Sequence, residues 1–144
     1  MKIIHALLGK ANPDRINGVN KVVHALASHQ HALGLDVAIW GITTDPNGAT
    51  YPRAYETRLF QDQGAYEPLA LSLCNAIAAA QSGVVFHLHG GFNLQLYKLS
   101  KLLVRYSIPY VFTPHGAYNT VAMQRSKWRK KLYVHLFEGY LARH

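Results

Sequence analysis

The sequence predicts a Rossmann-like, doubly wound α/β domain, a parallel sheet with helices on both faces. Three observations predict it. Short apolar runs of strand length alternate with segments whose apolar residues recur at helical spacing. Their order is strand, helix, strand, strand, helix, strand, helix, strand, which implies parallel strands joined by right-handed crossovers. The 144 residues are 49% hydrophobic, enough to bury one core and too few for two of ordinary size. Glycine-bearing loops follow the first, fourth and fifth strands, at the end of the sheet where such folds bind ligands.

Lys2 to Leu8 reads as the first strand, followed by a polar, turn-forming stretch from Gly9 to Asn17. Val19, Val22, Val23, Leu26 and Leu33 then mark one face of a helix, with Gly34 as its carboxyl-terminal cap. Asp36 to Ile42 is the second strand, carried by the strand-favouring Val37, Ile39 and Trp40. A loop spans Asp45 to Pro52, and Thr57 to Phe60 forms a short third strand. Glu67 and Pro68 suit the start of a helix running to about Gln81, because proline is tolerated in a first turn, where its missing N–H is not needed. Val84 to Leu88 is the fourth strand, after which Phe92, Leu96, Leu99, Leu103 and Tyr106 mark one helical face. Pro109 leads into the fifth strand, Tyr110 to Thr113. A final helix from about Val121 still carries its apolar pattern as the sequence reaches His144. This implies a natural chain that continues, with a terminal helix as the alternative.

Composition narrows the class. The hydrophobic fraction argues against disorder. The lone Cys74 has no internal disulfide partner and sits in an apolar stretch, which fits a reducing cytosol. The amino terminus is read as a strand rather than a signal peptide, because its apolar run ends at Gly9 and Lys10 with no small-residue cleavage site. No apolar run approaches the ~20 residues of a membrane span, so membrane contact is expected to be peripheral. The net charge of +8 is uneven, since nine of fifteen Lys and Arg lie from Lys98 onward against one acid, Glu138. Arg125, Lys127, Arg129, Lys130 and Lys131 form a cluster suited to anionic lipid or another phosphate-bearing partner, or to a solvated helix face.

The strand order 3-2-1-4-5 expected of this fold puts the ligand cleft between the first and fourth strands. Gly9 to Gly18 then faces His89, Gly90 and Gly91, with Pro114, His115 and Gly116 on the adjacent loop. The first loop departs from the dinucleotide fingerprint G-x-G-x-x-G, which weakens a nicotinamide reading. Gly18 at a helix start can still let a phosphate approach backbone N–H groups, or simply permit a tight loop. His87 and His89 share a strand face and with His115 could form a three-histidine zinc site, but no carboxylate completes a familiar pattern and no metal is expected. His87 is read as a core histidine, while His89 and His115, at strand ends beside glycine, are cleft candidates. His5 and the other histidines have no ligand spacing and are read as structural or solvent-facing. Tyr118 and Asn119 offer a stacking ring and an amide suited to a sugar, though Asn119 equally suits a helix start.

Four segments in this order, NGVNKVVHALASHQHALGLDVAIW, VVFHLHGGF, IPYVFTPHGAYN and SKWRKKLYVHLFE, cover nearly the whole chain. Together they resemble the amino-terminal domain of GT-B glycosyltransferases of the family 4 type, polysaccharide-assembling members in particular. The resemblance implies that residues 1–144 are the acceptor-side half, and that a carboxyl-terminal donor-binding domain is needed for turnover. It places Gly18 near the donor diphosphate, His115 near the transferring sugar as the catalytic candidate, and His89 in the acceptor pocket. Gly90, Gly91, Gly116, Tyr118 and Asn119 complete the expected substrate-binding set. The implied reaction transfers a hexose from a nucleoside diphosphate sugar to a hydroxyl of a glycan or lipid-linked acceptor, with retention and without a metal or other cofactor. The implied setting is cytoplasmic, peripheral to the inner face of the membrane. A nucleotide- or flavin-binding module, and a non-catalytic basic module for membrane or nucleic acid, are the competing readings; nucleic acid is not an expected partner.

Overall fold

A computed structural model describes residues 1–48, 50–80, 82–118, 124 and 127–142. Five strands, β1 (Lys2–Leu8), β2 (Asp36–Thr43), β3 (Glu56–Gln61), β4 (Val84–His89) and β5 (Tyr110–Thr113), form one sheet in the order β3-β2-β1-β4-β5. Every neighbouring pair is parallel. The helices are α1 (Gly18–Ala32), α2 (Leu71–Ala79), α3 (Leu94–Arg105) and α4 (Lys127–Tyr133). A π-helical turn (Val134–Glu138) carries α4 into a last short helix, α5 (Gly139–Leu141). The Rossmann-like doubly wound architecture expected from the sequence is the one observed.

The period-two alternation of the strands sorts their side chains into two cores. On one face, Ile4, Ala6, Ala38, Trp40, Phe86 and Leu88 pack with Leu73 and Ile77 of α2 and with Leu96, Leu99 and Leu103 of α3. On the other, Leu7, Val37 and Ile39 pack with Val23 and Ala27 of α1. Each of the Val, Leu, Ile and Phe side chains among these, fully buried, contributes about 1.5–3 kcal/mol. The α1 face carries three histidines among its apolar residues, His5 on β1 beside His87 on β4, and His89 at the end of β4. Towards β5 this face is open, and Val111, the register partner of His87, is 56% exposed.

Local chemistry explains where the elements start and stop. Gly34 follows α1 with φ +80, its N–H bonded to the His31 carbonyl, and Leu35 N–H reaches the Gln30 carbonyl. This is the left-handed glycine stop the sequence suggested. Two helix starts differ most from the sequence reading. The second helix begins at Leu71, not near Pro68. The carbonyls of Gly64, Ala65 and Glu67 instead accept from Gln95 and Lys98 of α3, and a residue preceding proline is disfavoured in the helical region. Phe92 lies before α3 rather than on it, with φ +57, and Asn93 caps the helix. The expected start of the last helix, near Val121, lies outside the described residues. Among the described residues no helix is long and apolar enough to cross a membrane.

Candidate active site

The connections leaving β1 and β4 wind in opposite directions, and a cleft of about 330 Å³ opens where their carboxyl ends separate. One rim is the start of α1. There Asn17 caps the helix, its Oδ1 accepting from Val19 N–H at 3.0 Å. On the β4 side Asn93 does the same for α3, accepting from Gln95 N–H at 2.8 Å and from Leu96 N–H at 3.2 Å. Both asparagines line the cleft, so the positive ends of two helix dipoles meet at one site.

The other rim is built from the loops after β4 and β5. Gly90 N–H bonds to the Thr113 carbonyl at 2.9 Å, which ties the two loops together as the strands end. His115 takes φ +48 and Gly116 φ +75, and Ala117 N–H closes the turn onto the Pro114 carbonyl at 3.1 Å. A left-handed histidine is uncommon, and such residues persist only where the surroundings hold them. Gly91 is where the loops touch, because a Cβ there would lie 2.6 Å from Ala117 Cβ. Behind them Glu138, 2% exposed on the π-helical turn, accepts from Phe92 N–H through Oε1, while its buried Oε2 has no partner among the described residues. Burial pushes the Glu138 carboxyl up, against the opposing pull of the Phe92 bond. The carboxylate thus serves the one N–H that the left-handed Phe92 turns away from regular pairing.

A row of imidazoles runs from α1 along its face of the sheet to the cleft. Gln30 Oε1 lies 2.7 Å from His5 Nε2, His5 Nδ1 lies 2.9 Å from His89 Nε2, and His89 Nδ1 lies 2.8 Å from His115 Nε2. His87 stands beside the row, its ring centroid 3.9 Å from that of His89 and its Nε2 2.7 Å from Thr113 Oγ1. Burial lowers all four, the His5 shift being partly countered by its bond to Gln30. With the other histidines adding repulsion, His87 falls to about 4 and His89 to about 2. The row is therefore neutral at pH 7.

His89, Gly90, Gly91, His115 and Gly116 all line the cleft. Gly18 is exposed between Asn17 and Val19, which do line it, and a Cβ on Gly18 would meet open space. Tyr118 turns its ring edge-on to Phe92 at 5.4 Å and is not a lining residue. Asn119 and Arg125 lie outside the described residues, as do the side chains of Lys127 and Arg129. Lys130 sits 5.1 Å over the Phe92 ring, and Lys131 is exposed beside Trp128. The possible ligand nitrogens and the rings group His5, rather than His115, with His87 and His89, within 4.8 Å of one another. Both nitrogens of His5 and of His89 are already hydrogen-bonded, so a cation would have to break the row.

The sequence reading passed over Asn17 and Asn93 as caps, though an asparagine ahead of a helical period is a readable signal. It also passed over His5, Gln30 and the structural place of Glu138. His5 is assigned by the β1–β4 register, which no local pattern encodes.

The family model for Glycosyltransferase Family 4 matches residues 16–144. The chain belongs to that family. No curated protein and no solved structure matches it. Membership makes this a glycosyltransferase-family domain, whose ligands are in general a sugar donor and an acceptor, and the parallel five-stranded sheet is consistent with one half of a GT-B architecture.

Proposed function

We propose that residues 1–144 are the acceptor-side half of a retaining glycosyltransferase, completed by a carboxyl-terminal donor-binding domain. The enzyme transfers a hexose from a nucleoside diphosphate sugar to a hydroxyl of a glycan or lipid-linked acceptor. The observation that carries this reading is the convergence on one cleft of two asparagine-capped helix starts and a left-handed histidine. Helix N–H groups and dipoles favour a diphosphate, and a departing diphosphate is the charge such a reaction must stabilise. Gly18 leaves room for that anion to approach the backbone. His115, with Gly90, Gly91 and Gly116 around it and His89 behind, orients the transferring sugar against the acceptor; Tyr118 and Asn119, which follow this loop in the sequence, are assigned to acceptor binding.

The test is transfer by the full-length protein across nucleoside diphosphate hexoses, with the anomeric configuration of the product read directly. His115→Ala should lower turnover about 100-fold, the cost of losing alignment at the reacting centre. Normal turnover in that variant removes His115 from the reaction.

Peripheral contact with an anionic membrane is part of the proposal. Trp128, Leu132 and Leu136 recur at four-residue spacing and are 84%, 59% and 52% exposed, with Lys131 exposed among them. Sedimentation with anionic phospholipid vesicles should be lost when Arg125, Lys127, Arg129, Lys130 and Lys131 are neutralised.

A further inference from the structure

We propose that Gln30, His5 and His89 are positioning residues that fix the tautomer of His115, so that its Nε2 carries the proton and its Nδ1 presents a lone pair at the cleft. The inference rests on the proposed place of His115 beside the transferring sugar for its consequence, but not for its geometry.

The direction of the row follows from one group. A neutral imidazole has one donor and one acceptor nitrogen, and an amide oxygen can only accept. Gln30 Oε1 faces His5 Nε2 at 2.7 Å, so His5 carries its proton on Nε2 and donates it there. His5 Nδ1 is then an acceptor, and His89 Nε2–H donates to it across 2.9 Å. His89 Nδ1 is left as an acceptor in turn, and His115 Nε2–H donates to it across 2.8 Å. Each step is forced by the one before, because a donor facing a donor, or two lone pairs facing each other, would leave buried polar groups unpaired at about 1–3 kcal/mol each.

Burial makes the row hold one state. His5 is fully buried and His89 is 1% exposed, and desolvation keeps both neutral, which excludes the doubly protonated rings that would interrupt the pattern. None of the described residues takes His115 Nδ1, and His115 lines the cleft. An acceptor there suits a sugar hydroxyl, which can donate to it. The amide on α1 thus sets, through two buried rings on the same face of the sheet, the polarity of a group at the cleft.

The test reads the tautomer itself. In the chain labelled with ¹⁵N-histidine, long-range ¹H–¹⁵N spectra near pH 7.5 should show His5, His89 and His115 all protonated on Nε2. Gln30 is only partly buried, so Gln30→Lys should be tolerated, and it replaces the acceptor by a group that only donates. In that variant all three protons should move to Nδ1. A His115 that keeps Nε2–H while His5 changes would overturn the proposal, as would a wild-type His115 protonated on Nδ1. A second variant guards the result: in Gln30→Leu, which offers no polar partner, the His115 tautomers should become mixed, and an unshifted His115 again sinks the idea. In the full-length enzyme Gln30→Lys should lower kcat about tenfold, the equivalent of one hydrogen bond, with little change in donor KM. If the tautomers follow residue 30 but transfer is unaffected, the row stands and the reading of His115 beside the sugar falls.

Discussion

The two rims of the cleft face each other over the same ligand space and are built from different materials. The rim at α1 is exposed backbone: Asn17 caps the helix with one hydrogen bond, Gly18 has nothing near it, and no titratable side chain of this rim lines the cleft. The rim after β4 and β5 is crowded: two left-handed non-glycine residues, loops in contact at Gly91, a buried carboxylate beneath and a row of neutral histidines behind. Open backbone suits an anion, whose charge is met by N–H groups wherever it settles. Held side chains suit a reacting centre, where direction matters to a fraction of an ångström. On the proposed function, recognition and chemistry are divided between the rims.

The sharpest way to break this comparison is acid. His87 and His89 are held far below their ordinary 6.5, at about 4 and about 2. Above pH 6.5 both the folded and unfolded chains leave them neutral. Below it the unfolded chain takes up protons that the folded chain refuses, so stability is lost as pH falls from 6.5 towards 4, at up to ~1.4 kcal/mol per pH unit for each fully refusing histidine. Urea unfolding should show a loss on the order of 3 kcal/mol between those pH values from His89 alone, with His87 adding to it. A flat profile would mean that the row is solvated and not held. His89→Leu should flatten much of the slope.

Crowding at the loops gives the next effect. Gly91→Val puts a side chain against Ala117 Cβ at 2.6 Å, and the two loops must move apart, at a cost of about 2 kcal/mol. The urea midpoint should fall accordingly. An unchanged midpoint would show that the rim gives way freely, which would undo its description as a rigid support. The caps make a smaller contrast. Asn93→Ala abandons two N–H groups of α3 and should cost about 1 kcal/mol, while Asn17→Ala abandons one exposed N–H of α1 and should cost about half that, both by thermal or urea unfolding. Equal costs would erase the difference between the two helix starts.

The sheet order and the location of the cleft were legible because they rest on the alternation of strand and helix periods and on the rule that ligands sit at the switch point. His89, Gly90, Gly91, His115 and Gly116 were legible for the same reason, being the residues that follow strands. What was hidden is what depends on distant pairing. His5 gains its role from lying beside His87 across β1 and β4, and Gln30 from the way α1 packs over β1. Glu138 is separated by 46 positions from the N–H it serves. It is the one acid after Glu67 in the sequence, which entered only the charge count, and its partner is given by the fold alone.

Gly18→Ala carries the smallest effect on stability and the most informative one on binding. A Cβ there meets nothing within 4 Å, and φ at Gly18 is not in the left-handed region. Alanine is the better residue inside a helix and restricts the unfolded chain, so the folded state should change by no more than about 0.5 kcal/mol. The same methyl stands where the proposed diphosphate must come against the start of α1, and there it keeps the anion from the N–H groups. In the full-length protein, calorimetric titration with a nucleoside diphosphate sugar should therefore weaken about tenfold while the urea midpoint holds. Unchanged affinity would remove Gly18 from the donor site, and with it the argument that the α1 rim is the half of the cleft made for the anion.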